Sequence, residues 1–205
     1  MAASNLKAAV LVALLSPVTL AMQASPVLAA HAVQQAINIE AQSTEMDFKN
    51  NNLIYHKVRI SQGTSSITAD QAQCSGLNFD NGHCVFRGNV KIATDQGQLS
   101  SDEADITFAD KLLSKAVANG KPASFEQHIV KSGKLAHGHA ESIEYDVTRG
   151  MVHFSKDAWI SDGQNEISHD SLTYNLLTQT VSTDAAEQGS QRVHIIITPP
   201  ANPKP

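Results

Sequence analysis

The residues able to do chemistry are few and scattered. His137-Gly138-His139 sets two imidazoles two positions apart. On a strand such residues share a face, so both rings can address one metal ion. No third ligand stands at a fixed spacing from them, which leaves the metal reading incomplete. Asp102, Glu103 and Asp105 gather carboxylates of the kind that acid/base work on a sugar requires. Neighbours on an alternating strand point to opposite faces, however, so the cluster reads as a solvated face. Lys111, Lys115, Lys121, Lys131 and Lys134 form a basic rim for phosphates only if one surface collects them, and are ordinary surface charge otherwise. There is no Gly-x-Ser-x-Gly elbow, phosphate loop or dinucleotide fingerprint. The sequence therefore offers no catalytic residue, no metal site and no cofactor.

Two cysteines remain. Cys74 and Cys84 bracket Ser75–His83, which contains the turn signal Asp80-Asn81-Gly82. They can form a disulfide across the arms of a hairpin, or stay as free thiols; a metal pair would have only His83 to complete it. The compartment bears on the choice. Lys7 precedes an apolar run from Ala8 to Met22, broken at Ser16-Pro17 and Thr19, and small residues follow up to Ala30-His31-Ala32. That is the layout of a secretory signal peptide over residues 1–30, with cleavage between 29 and 32. The run is short and interrupted for a membrane span, which needs ~20 apolar residues. An exported, oxidising setting favours the Cys74–Cys84 bridge.

The elements that must position these groups are strands. Apolar residues alternate almost throughout: Ile37/Ile39, Val58/Ile60, Val90/Ile92, Ile106/Phe108, Ile143/Tyr145/Val147, Val152/Phe154, Ala158/Ile160, Leu172/Tyr174/Leu176 and Val193/Ile195/Ile197. Period two gives each strand one apolar and one wet face. Turn clusters separate the runs at Asn50-Asn51-Asn52, Gln62-Gly63, Asp95-Gln96-Gly97, Ser132-Gly133, Arg149-Gly150 and Asp162-Gly163. Asp110–Val117 is the single short helix candidate. A degenerate repeat runs through the chain: Ser66-Ile67-Thr68-Ala69-Asp70 answers Gln98-Leu99-Ser100-Ser101-Asp102 and, more weakly, Glu166-Ile167-Ser168-His169-Asp170, with Val58 and Val90 standing 32 residues apart. Units of that kind cannot close a core alone and must stack on neighbours. The expectation is an all-β chain of many short antiparallel strands in one domain, residues 33–198, followed by a disordered tail, 199–205. Its apolar faces would bury one another between two facing sheets, or inside one sheet folded over like a taco. If the edges do not close, the apolar interior opens to water along one side and suits a long hydrophobic ligand.

Composition narrows the function classes. The 205 residues carry a net charge of −5 and only 5% aromatics. A basic face for nucleic acid and stacking platforms for single strands are both missing, so no nucleic-acid partner is expected.

Several segments resemble the LptA (OstA-like) family of periplasmic lipopolysaccharide transport proteins. They are Ile37-Asn38-Ile39-Glu40-Ala41, Gly88-Asn89-Val90-Lys91-Ile92, Gly120-Lys121-Pro122-Ala123-Ser124-Phe125 with Gln127, Gly138-His139-Ala140 leading to Ile143 and Tyr145, Ile167–Tyr174, and Arg192-Val193-His194. The likeness covers most of residues 36–198. It implies a semi-closed, twisted β-jellyroll without catalytic residues. Such a protein bridges inner and outer membranes, with acyl chains of lipopolysaccharide in an apolar groove. By the same resemblance Ile37 and Ile39 match inward positions near the entry edge, and Phe125, Tyr145 and Val147 match inward positions further along. Ile143 shares their parity. The six are the candidate lipid-binding residues, and each is equally readable as plain core. An LptC-like inner-membrane partner is implied at the N-terminal edge. An LptD-like outer-membrane partner, or a second copy head to tail, is implied at the C-terminal edge. Gly138-His139-Ala140 falling on the family pattern makes His139 a local turn or strand-end residue rather than a ligand. The Cys74/Cys84 hairpin is a departure from the family.

Two other classes stay open on sequence alone: a secreted structural β-repeat filament or adhesin module, and a polysaccharide-active β-repeat enzyme. Trp159, the single tryptophan, points away from the face of Ala158 and Ile160.

Overall fold

A computed structural model describes residues 35–75, 81–129, 134–183 and 192–199. The signal segment, Asp80, Lys131, the Ser132-Gly133 turn and the tail from Pro200 lie outside the described residues. Among those described there are twelve strands and no helix. They are β1 (Asn38–Glu40), β2 (Ser43–Asp47), β3 (Asn52–Gln62), β4 (Ser65–Ser75), β5 (His83–Ala93), β6 (Gln98–Ala109), β7 (Leu112–Ile129), β8 (Lys134–Asp146), β9 (Met151–Ser161), β10 (Asn165–Asn175), β11 (Thr180–Ser182) and β12 (His194–Ile197). All join one antiparallel sheet, and β3 to β10 follow one another in chain order. Asp110–Val117, the helix candidate, instead begins with a turn at positive φ through Asp110 and Lys111 and continues as β7.

The central strands, of 11 to 18 residues, are longer than the sequence runs suggest, because each joins two of those runs across a bulge. Six consecutive strand pairs, β4/β5 through β9/β10, slip register at the same level. The skipped residues include Asp70, Gly88-Asn89, Asp102, Lys121-Pro122, Glu141, Lys156-Asp157 and Asp170. Lys57, Gly88, Asn89, Lys156 and Asp157 have positive φ there, the left-handed conformation that lets a bulged strand turn sharply. A row of bulges crossing the sheet is a crease. The repeat read from sequence marks it, since its terminal acids Asp70, Asp102 and Asp170 all stand on this line.

Bulges also switch parity. In β3 the buried residues are Leu53 and Tyr55 before Lys57, then Val58 and Ile60 after it. In β7 they are Ala116 and Ala118 before the crease, then Ala123, Phe125 and Gln127. Each strand thus contributes one half to each of two layers. Layer one holds residues such as 52–56, 142–146, 151–155 and 171–175; layer two holds 58–62, 98–101, 123–129 and 134–140. The layers face each other. Phe125 in layer two meets Phe154 and Tyr174 of layer one edge-on, with ring centroids 6.0 and 6.1 Å apart. A Cβ added at Gly138 would come within 3.0 Å of Phe154 Cε1 and 2.8 Å of the Trp159 carbonyl oxygen, so only glycine lets the layers close here. Among the described residues, no two strands that are not hydrogen-bonded neighbours bring Cα atoms within 8 Å, as expected of facing sheets ~10 Å apart.

The end strands split at the crease as well. β1 pairs layer two of β3 while β2 pairs its layer-one half. At the other edge β12 pairs layer two of β10 and β11 its layer-one half.

Candidate functional site

The interior between the layers is apolar and, in its middle, filled. Phe86, Phe154, Ile106, Ile143, Val152 and Leu172 have no exposed surface. Along the seam opposite the crease, Tyr145, Leu176 and Phe125 close against Ile92 and Leu99 to leave a narrow slot. Its free volume is ≈ 10 Å³, about one water-sized sphere. The open trough expected from sequence is therefore narrowed to a slot along the seam. The Tyr145 hydroxyl lies in hydrogen-bonding contact with Thr94 across it, and burial pushes its pKa up, with Thr94 opposing and the Asp95 charge adding.

Open space appears at the C-terminal end. A cleft of ≈ 390 Å³ is lined by Ile160, Ile167, Tyr174, Val181 and Ile195, with Asp162 and Lys134 at its rim. That volume lies in the range of small-ligand pockets. Its apolar wall continues into β12, where Ile195 and Ile197 share the inward parity of Ile167 and yet are 58% and 74% exposed; Val193, just before β12 and of the same parity, is 41% exposed. The N-terminal end matches it: Ile39 opposite Ile60 and Met46 opposite Leu53 are inward positions that remain 37% and 52% exposed. Among the described residues, both ends of the fold thus present inward-pointing apolar side chains with nothing stacked beyond them.

The six candidate residues are distributed along this interior. Phe125 and Tyr145 come together in the seam slot. Ile143 sits fully buried opposite Phe154. Val147, just past β8, is half-buried and packs on the core, its amide donating to the Ser114 carbonyl at 3.0 Å. Ile37 packs half-buried on the core and Ile39 stands at the open N-terminal end. Gln127, Tyr174 and Ile195 line the interior and its C-terminal clefts but were not singled out from sequence as lining residues; inward parity with Phe125, Leu172 and Ile167 was the signal available.

The two cysteines lie fully buried in the core, whereas the clustered carboxylates and the paired imidazoles lie on the outer face. Cys74 and Cys84 are register partners on β4 and β5 and are joined as a disulfide with Cα atoms 4.1 Å apart. Glu103 pairs with Arg87 at 2.9 Å and Asp105 with His83 at 2.6 Å, so these carboxylates bind neighbouring strands rather than converge on a cleft. His139 is corrected from a turn residue to the middle of β8: it stacks on Trp159 with ring centroids 5.0 Å apart, and His137 leans on the same indole at 5.1 Å. The Trp159 indole N–H donates to Glu166 Oε2 at 3.2 Å. The lysines are not gathered: Lys111 is in the β6–β7 turn, Lys121 at the crease, Lys115 paired with Glu144 at 2.8 Å, and Lys134 at the cleft rim.

Asp162 shapes that rim. Its Oδ1 accepts from the amides of Gln164 at 2.9 Å and Asn165 at 2.7 Å, and Oδ2 from the Asn165 side chain at 3.2 Å. These bonds, the Asn165 amide foremost, hold its carboxyl below the usual carboxylate range. A folded-state pKa lower than the unfolded value gives stability that is present above ~3.9 and lost as pH falls through the folded value. Asp162→Ala is expected to cost about 1 kcal/mol at neutral pH, with the gap closing in acid, once the pH has fallen through the lowered folded value. Paired thermal melts at the two pH values check this; a gap independent of pH would reject it.

Comparison with known proteins adds the following. Residues 72–180 match the family model for the LptA/(LptD N-terminal domain) LPS transport protein. The lipopolysaccharide export system protein LptA of Escherichia coli K12 is 26% identical over 135 residues, 65% of this chain and 70% of that protein. The same figures hold for LptA of Shigella flexneri. The crystal structure of LptH, the LptA-homologous periplasmic component of the lipopolysaccharide transport device of Pseudomonas aeruginosa, is similar over 80% of this chain and 96% of that one, at 22% identity and a TM-score of 0.45.

Proposed function

This chain belongs to the family of LptA and the LptD N-terminal domain, lipopolysaccharide transport proteins, and from that premise we propose that it carries lipopolysaccharide through the periplasm with acyl chains held between its two layers. The observation that carries the reading is the pair of open apolar ends. Val193, Ile195 and Ile197 at one edge, and Ile39 and Met46 at the other, point inward and stay exposed. A sheet edge with such side chains extends by strand addition, and stacking another folded sheet of this kind on it would lengthen the interior. An LptC-like partner is assigned to the β1/β2 edge, and an LptD-like partner or a second copy to the β11/β12 edge. Each buried methylene of an acyl chain contributes ~0.8 kcal/mol, so a smooth lining without a dominant contact holds the lipid and still releases it. The transport role calls for no bond-breaking step.

The test is photo-crosslinking. A benzophenone amino acid at Tyr145 or Ile195 is expected to form adducts with lipopolysaccharide, and one at the outward Lys115 to form few. A folded protein labelled no better at Tyr145 and Ile195 than at Lys115 would sink the proposal.

A further inference from the structure

Two polar atoms interrupt the apolar interior. Gln127 on β7 points inward beside Phe125 and is 6% exposed; Tyr174 on β10 is 3% exposed. Gln127 Oε1 and the Tyr174 hydroxyl are inaccessible to solvent and have no hydrogen-bond partner. They flank one region. The Phe125 ring, two residues from Gln127, meets the Tyr174 ring at 6.1 Å. Gln179 borders both the groove that Gln127 lines and the cleft that Tyr174 lines.

An unpaired buried polar group costs about 1–3 kcal/mol, and folded proteins leave few of them without a reason. Leucine or phenylalanine at these positions would avoid the cost if they served only as core. Resting on the lipid-carrying reading, we propose that Gln127 and Tyr174 form a polar station that binds a hydroxyl group borne on an acyl chain. The pairing follows from donor and acceptor roles. A carboxamide oxygen only accepts, and a neutral phenol donates. A hydroxyl does both: it donates to Gln127 Oε1 and accepts from the Tyr174 O–H. A plain alkyl chain leaves both protein atoms unpaired, and a carbonyl satisfies Tyr174 alone. Burial raises the Tyr174 pKa, so the phenol stays protonated and able to donate.

The experiment compares tetradecanoic acid with 3-hydroxytetradecanoic acid on the full chain, by displacement of a fluorescent fatty acid. The hydroxylated probe is expected to bind about tenfold tighter to the wild type. Tyr174→Phe and Gln127→Met are each expected to shrink that preference, and the double variant to erase it. Melting temperatures of the variants should hold or rise, because an unpaired group has been removed; a structural role predicts a fall. Equal affinity of the wild type for the two probes overturns the proposal without touching the lipid-carrying reading, and needs no variant to fold. A preference that survives in the double variant overturns it too. Failure of both probes to bind overturns both readings.

Discussion

Phe154→Ala is expected to lower the unfolding free energy by about 4 kcal/mol, near the upper end for large-to-small core changes. Phe154 is fully buried on β9. Its cross-strand partners are Ile143 and Leu172, and its ring meets Phe125 of the opposite layer at 6.0 Å. It also lies against Gly138, where no side chain can swing in to fill a vacancy. The loss depends on how far a site collapses after truncation. Here the two layers are tied along the crease by continuous backbone, so the gap between them cannot shrink freely and a cavity remains. Leu177→Ala, at a side chain 75% exposed, is the control and should change stability by less than about 0.5 kcal/mol. Urea denaturation measures both. A shifted midpoint with an unchanged slope reports stability alone. A loss under about 1 kcal/mol for Phe154→Ala would mean that the layers settle onto one another, contrary to a rigid, creased interior.

Such a crease is also where reading from sequence ran short. Alternation located the strands because each half-strand keeps its own period: Val152/Phe154 and Ala158/Ile160 are both correct inward pairs. They were separable as two strands only because Lys156-Asp157 interrupts them, and that interruption is a bulge inside β9. Periodicity registers a break in phase and cannot tell a turn that reverses the chain from a bulge that bends it. The repeat ending in Asp70, Asp102 and Asp170 held the missing information, since acids recurring at the same phase across strands mark one line on the sheet. The seam is different in kind. Nothing local in Thr94, Tyr145 or Leu176 says that they meet, because that contact joins layers through the fold of the whole sheet. Gln127 was legible by parity with Phe125, but its missing partner is a property of the packed interior. The outward role of Trp159 followed from parity, whereas its two histidine neighbours needed the β8/β9 register.

Charge placed at the two open ends is expected to separate loading from release. Ile39→Asp and Ile195→Asp each put a carboxylate on an inward position that is already partly exposed, 37% and 58% respectively. The isolated fold should therefore lose no more than about 1 kcal/mol. The consequence falls on whatever stacks against the end. There the carboxylate would be desolvated against apolar side chains or an acyl chain, at a cost of several kcal/mol, which is more than tenfold in affinity. If lipid enters over β1 and leaves over β12, Ile39→Asp should reduce loading from the inner-membrane partner at least tenfold, read as lipopolysaccharide adducts at Tyr145. Ile195→Asp should leave that loading near wild type and block handover to an acceptor, so that lipid accumulates on the protein. The opposite pattern would reverse the assignment of the ends. Unimpaired loading and handover in both variants would mean that lipid crosses the seam directly between Tyr145 and Leu176, and that the end strands serve assembly alone.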